Sequence, residues 1–248
     1  MPPIIVVEGD TIPEVWERSI VELAARGEPY QGKDKDNLGK VGRVAQMIMR
    51  INKPNQEPRV HKCFPAEPRE VLEYAEDLIM GLDQRGWDYT YHGQIFVKHG
   101  NQLQRAIALL KQKPTTNKAH IVVGNPLTTD DEKSLHGPCL QTITLHLRER
   151  DGQLQLDFDT TWRVRNSINA AFMNLFALSE LQNYACRLMS EAIGRTVTAG
   201  PMTDYTVHYN YNANDVPWVQ SLLNQVKRKD KFWSTQELKE IVKLMQDD

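Results

Sequence analysis

Between residues 168 and 193 the chain carries a helical pattern that is apolar nearly all round its first half. Ala170, Ala171, Phe172, Met173, Leu175, Phe176, Ala177 and Leu178 leave almost no polar face. A helix without a solvent side has to lie at the centre of a fold, with other elements on its flanks. Gly194 follows as a left-handed stop. The rest of the chain must therefore supply layers that cover this one segment.

Those layers read as a mixture of strands and helices. Residues 4–7 form a short buried strand. Residues 11–26 form a helix with Thr11 as N-cap, Pro13 in the first turn, and Trp16, Ile20 and Leu23 on one face. Residues 27–43 are polar, rich in Gly and Lys and aperiodic, which predicts a surface loop. A strand follows at 44–51, a helix at 68–82 closed near Gly86, and an amphipathic helix at 101–112 with Leu103, Ile107 and Leu110 in phase. Residues 119–123 read as a buried strand ended by Asn125-Pro126. From 139 to 147 the alternation places Cys139, Gln141, Ile143, Leu145 and Leu147 on one face, and Asp151-Gly152 turns the chain into Leu154, Leu156 and Phe158. Two charged amphipathic helices close the chain at 218–228 and 234–246. The order is α+β, with an antiparallel part near the middle and no regular βαβ alternation. With 248 residues, no linker and no internal repeat, 1–248 reads as a single domain.

The bulk properties exclude several classes. A net charge of −2 gives no polyanion-binding surface, so no nucleic-acid partner is expected, while small phosphorylated ligands need only a few local cations. Cys63, Cys139 and Cys186 are too widely spaced for a disulfide framework or a zinc pattern. No basic n-region opens the chain, and no run of about 18 apolar residues predicts a membrane span. The expectation is a soluble cytoplasmic protein with reduced thiols and no bound metal.

Three residues carry possible chemistry. Cys139 stands in Gly137-Pro138-Cys139-Leu140-Gln141; such a thiol is either a small buried hydrophobe or a nucleophile, and a face shared with Ile143 and Leu145 suits both. Arg163, just after a strand, is either a solvated charge or an anion ligand. Asn174 interrupts the apolar helix, and burying its amide without partners costs roughly 1–3 kcal/mol. One acceptor and two donors on that amide can match the O4 and N3–H edge of a uracil ring.

Taken together these residues resemble the thymidylate synthases and the pyrimidine nucleotide hydroxymethylases that share their fold, and most closely the archaeal-type branch. The resemblance is carried by Ile5-Val6-Val7-Glu8-Gly9-Asp10 with Ile12-Pro13-Glu14-Val15-Trp16, by Glu57-Pro58-Arg59-Val60-His61, by Trp87-Asp88-Tyr89-Thr90-Tyr91-His92, by Pro138-Cys139-Leu140-Gln141, and by Arg163 through Asn174. It implies a single-domain fold in which a mixed, partly antiparallel sheet packs against the long buried helix. It also implies a homodimer with shared active sites, a pyrimidine nucleoside 5′-monophosphate as substrate and 5,10-methylenetetrahydrofolate as one-carbon donor. By resemblance Cys139 attacks C6 of the ring and Tyr91 takes part in proton transfer. Arg43 and Arg163 bind the 5′-phosphate, with Lys118, in Asn117-Lys118, reaching it from the partner subunit. Asn174 reads the base, His208 and Tyr209 hold the sugar hydroxyl with Tyr211 competing, and Asn166 meets the pterin. The family's catalytic glutamate falls among Glu73, Glu76 and Asp77.

The chain departs from the family at Val164, where the pattern has Ser, at Asn166, where it has Asp, and at Asn117-Lys118, where it has two arginines. Common members close with an apolar C-terminal tail, whereas this chain ends Lys243-Leu244-Met245-Gln246-Asp247-Asp248. Water exclusion decides between reducing the transferred carbon to methyl and hydrating it to hydroxymethyl. The reading therefore leans to hydroxymethylation of a dUMP-type substrate, with dCMP or CMP as other bases. Thymidylate synthesis proper and a catalytically weak nucleotide-binding relative are the alternatives.

Overall fold

The computed structural model describes residues 1–31, 41–82, 89–124 and 137–245. The central helix is α4, Ala171–Ile193, with Phe172, Leu175, Phe176, Ala177, Leu181 and Ala185 at most 1% exposed. It starts three residues later than the apolar pattern predicts. Asn166 is the cause: its Oδ1 accepts from Ile168 N and Asn169 N at 2.8 Å each and holds those residues in a turn. Gly194 ends the helix at φ 67°.

A mixed sheet lies against α4. Its strands are β1 (Ile4–Gly9), β2 (Glu28–Tyr30), β3 (Gly42–Ile51), β5 (His120–Val122), β6 (Leu140–Arg150), β7 (Gln153–Trp162), β8 (Arg165–Asn166) and β9 (Val197–Tyr211). The order is β1-β3-β9-β7-β6-β5, with β2 on β3 and β8 on β9. β1 runs parallel to β3 and β7 parallel to β9, while β3–β9, β6–β7 and β5–β6 are antiparallel. A separate ribbon pairs β4 (Val60–His61) with β10 (Phe232–Trp233). Helices α1 (Ile12–Arg26), α2 (Pro68–Met80), α3 (Gln102–Gln112), α5 (Val216–Gln225) and α6 (Thr235–Leu244) complete the described elements of regular structure, apart from single π and 3₁₀ turns.

Helices α1, α2 and α3 pack on α4, and α4 packs on β7 and β9, so these helices cover one face of the sheet. The opposite face is open among the described residues. One cross-strand row on it runs Val6, Ile48, Tyr205, Thr161, Thr142, Val122 through directly paired positions. Ile4 and Val6 are each 60% exposed there, next to the fully buried Ile5.

Several expectations are revised. The 27–43 segment is not all loop: Glu28–Tyr30 pairs antiparallel with Gly42–Val44, and 32–40 lies outside the described residues. The 68–82 helix stops at Met80 because Gly81 takes φ 70°; Gly86, Trp87, Asp88, Asn125-Pro126 and the last three residues lie outside the described part. The turn at Asp151-Gly152 has φ values of 51° and 75°, the two left-handed residues that a tight hairpin requires. Cys139 does not share the face of Ile143 and Leu145. The register slips between Leu140 and Thr142, opposite Trp162 and Thr161, so Gln141 bulges and Leu140 takes the buried place at 1% exposure. Cys139 is left half-buried just before the strand.

Candidate active site

The bulge sets the thiol. The Gln141 carbonyl accepts from Val123 N at 2.8 Å and Gly124 N at 3.0 Å, while its Nε2 donates back to Pro138 O at 2.7 Å. Arg163 N donates to Cys139 O at 3.0 Å. The loop bearing the thiol is thus pinned to β5 and β7 by backbone groups.

Cys139 opens into a cavity of about 640 Å³, which also has Tyr30, Tyr74, Tyr91, Arg165, Asn166, Met173, Asn174, Asn210 and Asn212 in its wall. That volume suits one drug-sized ligand or a nucleotide with part of a second ring. Among the described residues the wall contains amides, phenols and one guanidinium, and no carboxylate. Arg163, on the exposed side, donates from Nη2 to Gly137 O at 2.8 Å and places the same nitrogen 4.0 Å from Cys139 Sγ. Burial pushes the Cys139 thiol up, and the guanidiniums of Arg163 and Arg165 oppose that.

Asn174 is 8% exposed and comes from the first turn of α4. Its Nδ2 donates to Tyr74 OH at 2.8 Å. Tyr91 accepts from Leu140 N at 3.5 Å, one residue from the thiol, which leaves its own proton to donate. Burial holds the Tyr91 and Tyr74 phenols well above their ordinary value, so both are neutral donors near neutral pH. Asn166 lines the cavity, but its Oδ1 is committed to two backbone N–H groups and its Nδ2 lies 3.3 Å from Asp215 Oδ2.

Four of the nine site residues expected from sequence, Cys139, Tyr91, Asn166 and Asn174, line this cavity. Arg163 reaches the thiol from its rim, and His208 packs edge-on to the cavity residue Tyr30 at 5.0 Å. Tyr209 is fully buried on the other side of β9, bonded to Ser19 Oγ at 2.8 Å, and burial raises its phenol to about 12. Strand alternation presents Asn210 to the cavity in its place. Arg43 lies opposite Tyr211 on β3–β9 and bonds to its hydroxyl. Lys118 is exposed ahead of β5. Neither lines the cavity. Of the three acids on α2, Glu73 and Glu76 are exposed; Asp77 is half-buried and acts electrostatically on Tyr74, one turn away.

Sequence reasoning missed Tyr74, Arg165, Asn210 and Asn212. Tyr74 had a readable signal, standing in helical phase with the buried Val71 and Leu78. Arg165 stands in a run after Trp162, but its fixing partner is remote. Its Nη1 donates to Asp204 Oδ2 at 3.1 Å and its Nη2 donates to Oδ1, while its guanidinium lies over the Trp162 ring at 4.6 Å. Among the described residues no group of His, Cys, Asp or Glu could hold a metal ion, and no helix is long and apolar enough to cross a membrane.

No family model matches the chain. It is 25% identical over 224 residues to a Methanosarcina barkeri protein named "Putative thymidylate synthase", covering 89% of this chain and 95% of that one. A Methanosarcina acetivorans protein of the same name is 23% identical over the same shares. The structure superimposes on thermostable thymidylate synthase A from Bacillus subtilis with a TM-score of 0.63 at 14% identity, covering 90% of this chain and 86% of that one. This is a thymidylate synthase-like chain. The likeness to the Bacillus enzyme establishes the thymidylate synthase fold, and the archaeal relatives agree with the branch that the sequence resembles.

Proposed function

We propose that this protein transfers a one-carbon unit to C5 of a pyrimidine nucleoside 5′-monophosphate in the cytoplasm, with hydroxymethyl as the product. One observation carries the reading: the Cys139 thiol and the Asn174 amide face one cavity, with Arg163 Nη2 4.0 Å from the sulfur. In this reading the Cys139 thiolate forms a bond to C6, and the C5=C6 electron pair moves toward C5 and O4. Asn174 holds the O4/N3 edge and Tyr91 donates toward the charge that develops on the ring. Arg163 stabilises the thiolate before attack and binds the 5′-phosphate beside it. Arg43 adds phosphate charge only by leaving the Tyr211 hydroxyl for the cavity, and His208 acts on the sugar side through its contact with Tyr30.

A folate-type donor, when bound, supplies the methylene carbon. Flat heterocycles fit the amide-lined wall, where Asn169, Asn212 and the remaining N–H of Asn166 would hold its pterin. Keeping the transferred carbon for reduction demands a firmly anchored donor and a dry cavity. A wall without a carboxylate among the described residues favours hydration. C5 bonds to the one-carbon unit, then gives up its proton as the carbon's bond to the departing tetrahydrofolate breaks. Water adds its hydroxyl to that carbon, and the C6–S bond breaks to free Cys139, with no net reductant consumed.

The open sheet face supports a homodimer. A row of Val6, Ile48, Tyr205, Thr161, Thr142 and Val122 offers a flat apolar and hydroxyl surface to a second copy, and Lys118 would then serve the partner's cavity. Sedimentation equilibrium tests this: a monomer at micromolar concentration contradicts it.

The deciding experiment supplies dUMP, dCMP, UMP and CMP in turn, each with methylenetetrahydrofolate, and weighs the product. A hydroxymethyl gain with no dihydrofolate is expected. A methyl gain with dihydrofolate makes the chain a thymidylate synthase proper. No product from any of the four leaves only nucleotide binding. Turnover surviving in Cys139→Ser overturns the mechanism.

A further inference from the structure

The geometry points to Tyr74 as a specificity-determining residue, which fixes the way Asn174 presents its amide and hence which pyrimidine, 4-oxo or 4-amino, the cavity accepts. The inference rests on the reading of Asn174 as the base-binding residue. An asparagine amide shows a ring one donor and one acceptor side by side. Uracil offers O4 and N3–H to such an edge; cytosine offers the 4-amino group and N3, the same two positions with donor and acceptor exchanged. One amide therefore reads both bases, but only by turning over through half a rotation about its last side-chain bond. Whatever holds the amide from behind sets the cost of that turn.

Behind Asn174 stands Tyr74. Its hydroxyl takes one N–H of the amide at 2.8 Å, leaving the other N–H and the oxygen for the cavity. The two side chains come from α2 and α4, which pack along one another, so neither is carried on a loop. Leu78, Leu140, Trp162, Ala177 and Leu178 wall the space behind the pair, which is too narrow to admit a water molecule. No solvent can replace the phenol as partner there. Turning the amide over puts its oxygen against Tyr74, and the hydroxyl must then donate instead of accept. In that arrangement Tyr74 points its O–H at Asn174, and the hydrogen is no longer available to any other acceptor nearby, Asp77 being the acid one turn along α2. The phenol thus couples base choice to its own proton, and the unturned amide is the one present in the structure.

The test compares wild type with Tyr74→Phe, which keeps the ring and removes the hydroxyl. Dissociation constants for dUMP and dCMP are measured by calorimetry, alongside kcat/KM for both. The expected result is a fall of at least tenfold in the dUMP-to-dCMP preference, in whichever direction wild type leans, with the melting temperature recorded for each protein. A structural role alone lowers both affinities together and leaves the ratio within twofold, which overturns the inference. Asn174→Asp serves as a second variant: a Tyr74→Phe background must blunt its effect on the ratio, and an unchanged effect also overturns it. If wild type binds either nucleotide without turning it over, the proposed reaction fails while the ratio of dissociation constants still decides the role of Tyr74. If it binds neither, both fall.

Discussion

Replacing Asp204 with alanine isolates the strongest buried electrostatic unit beside the cavity. The Asp204 side chain has no solvent exposure and that of Arg165 has 1%. The carboxylate accepts from Thr160 Oγ1 at 2.7 Å, from Trp162 Nε1 at 2.7 Å and from both terminal nitrogens of Arg165. Removing it leaves a guanidinium in the core whose Nε already has no partner, together with an orphaned indole N–H and hydroxyl. Breaking a buried pair from one side costs about 3–5 kcal/mol. For a chain of this size each kcal/mol moves the melting temperature by about 2–4 °C, so a fall of roughly 6–20 °C is expected. Circular dichroism during heating and urea titration reads both quantities. The diagnostic control is Asp204→Leu combined with Arg165→Met, which removes both charges and fills the volume; it should recover most of the loss. A single variant that loses less than about 1 kcal/mol, or a double variant as unstable as the single, refutes the reasoning.

Two further outcomes follow from the charges. Because the Arg163 cation opposes the burial that raises the Cys139 thiol, Arg163→Ala should slow alkylation of Cys139 by iodoacetamide several-fold at pH 8 and move its pH profile to higher pH; an unmoved profile contradicts the pairing. Burial raises the Glu17 carboxyl, but hydrogen bonds from His61 and Lys231 outweigh it and leave the group below its ordinary 4.5. A depressed carboxyl contributes stability above its unfolded value and loses it as pH falls through the folded one. Lys231→Met removes one lowering contact, so acid unfolding followed by tryptophan fluorescence should begin at higher pH than in wild type.

Much of this fold was legible because periodicity records burial. The all-round apolar run of α4, the stripe of α1 and the Asp151-Gly152 turn each have a local cause and stand where pattern places them. β9 was not legible, although it is the longest strand among the described residues and sits between β3 and β7. Its inward residues include Asp204 and Thr206, which are polar, so no apolar alternation shows. Gly200-Pro201 also interrupts it, and the paired strand β7 accommodates them with a register shift at Leu156/Phe158. The site divides in the same way. Cys139 and Asn174 stood out as a thiol beside proline and a polar break in an apolar helix. Tyr74 and Arg165 take their meaning from Asn174, 100 positions along the chain, and Asp204, 39 positions along it, which no local pattern encodes.

The bulge at Gln141 has a consequence for how this protein can change over time. Leu140 serves the core and Cys139 the cavity, yet they are adjacent, and backbone bonds of Gln141 hold both in place. Side chains of the core can therefore drift, one apolar residue for another, without moving the nucleophile. The length of β6 has no such freedom. One residue added or lost there turns Ile143 and Leu145 out of the core and misaligns the thiol against Arg163 and Asn174 at the same time, so the length of this strand is held twice over, by the core and by the site.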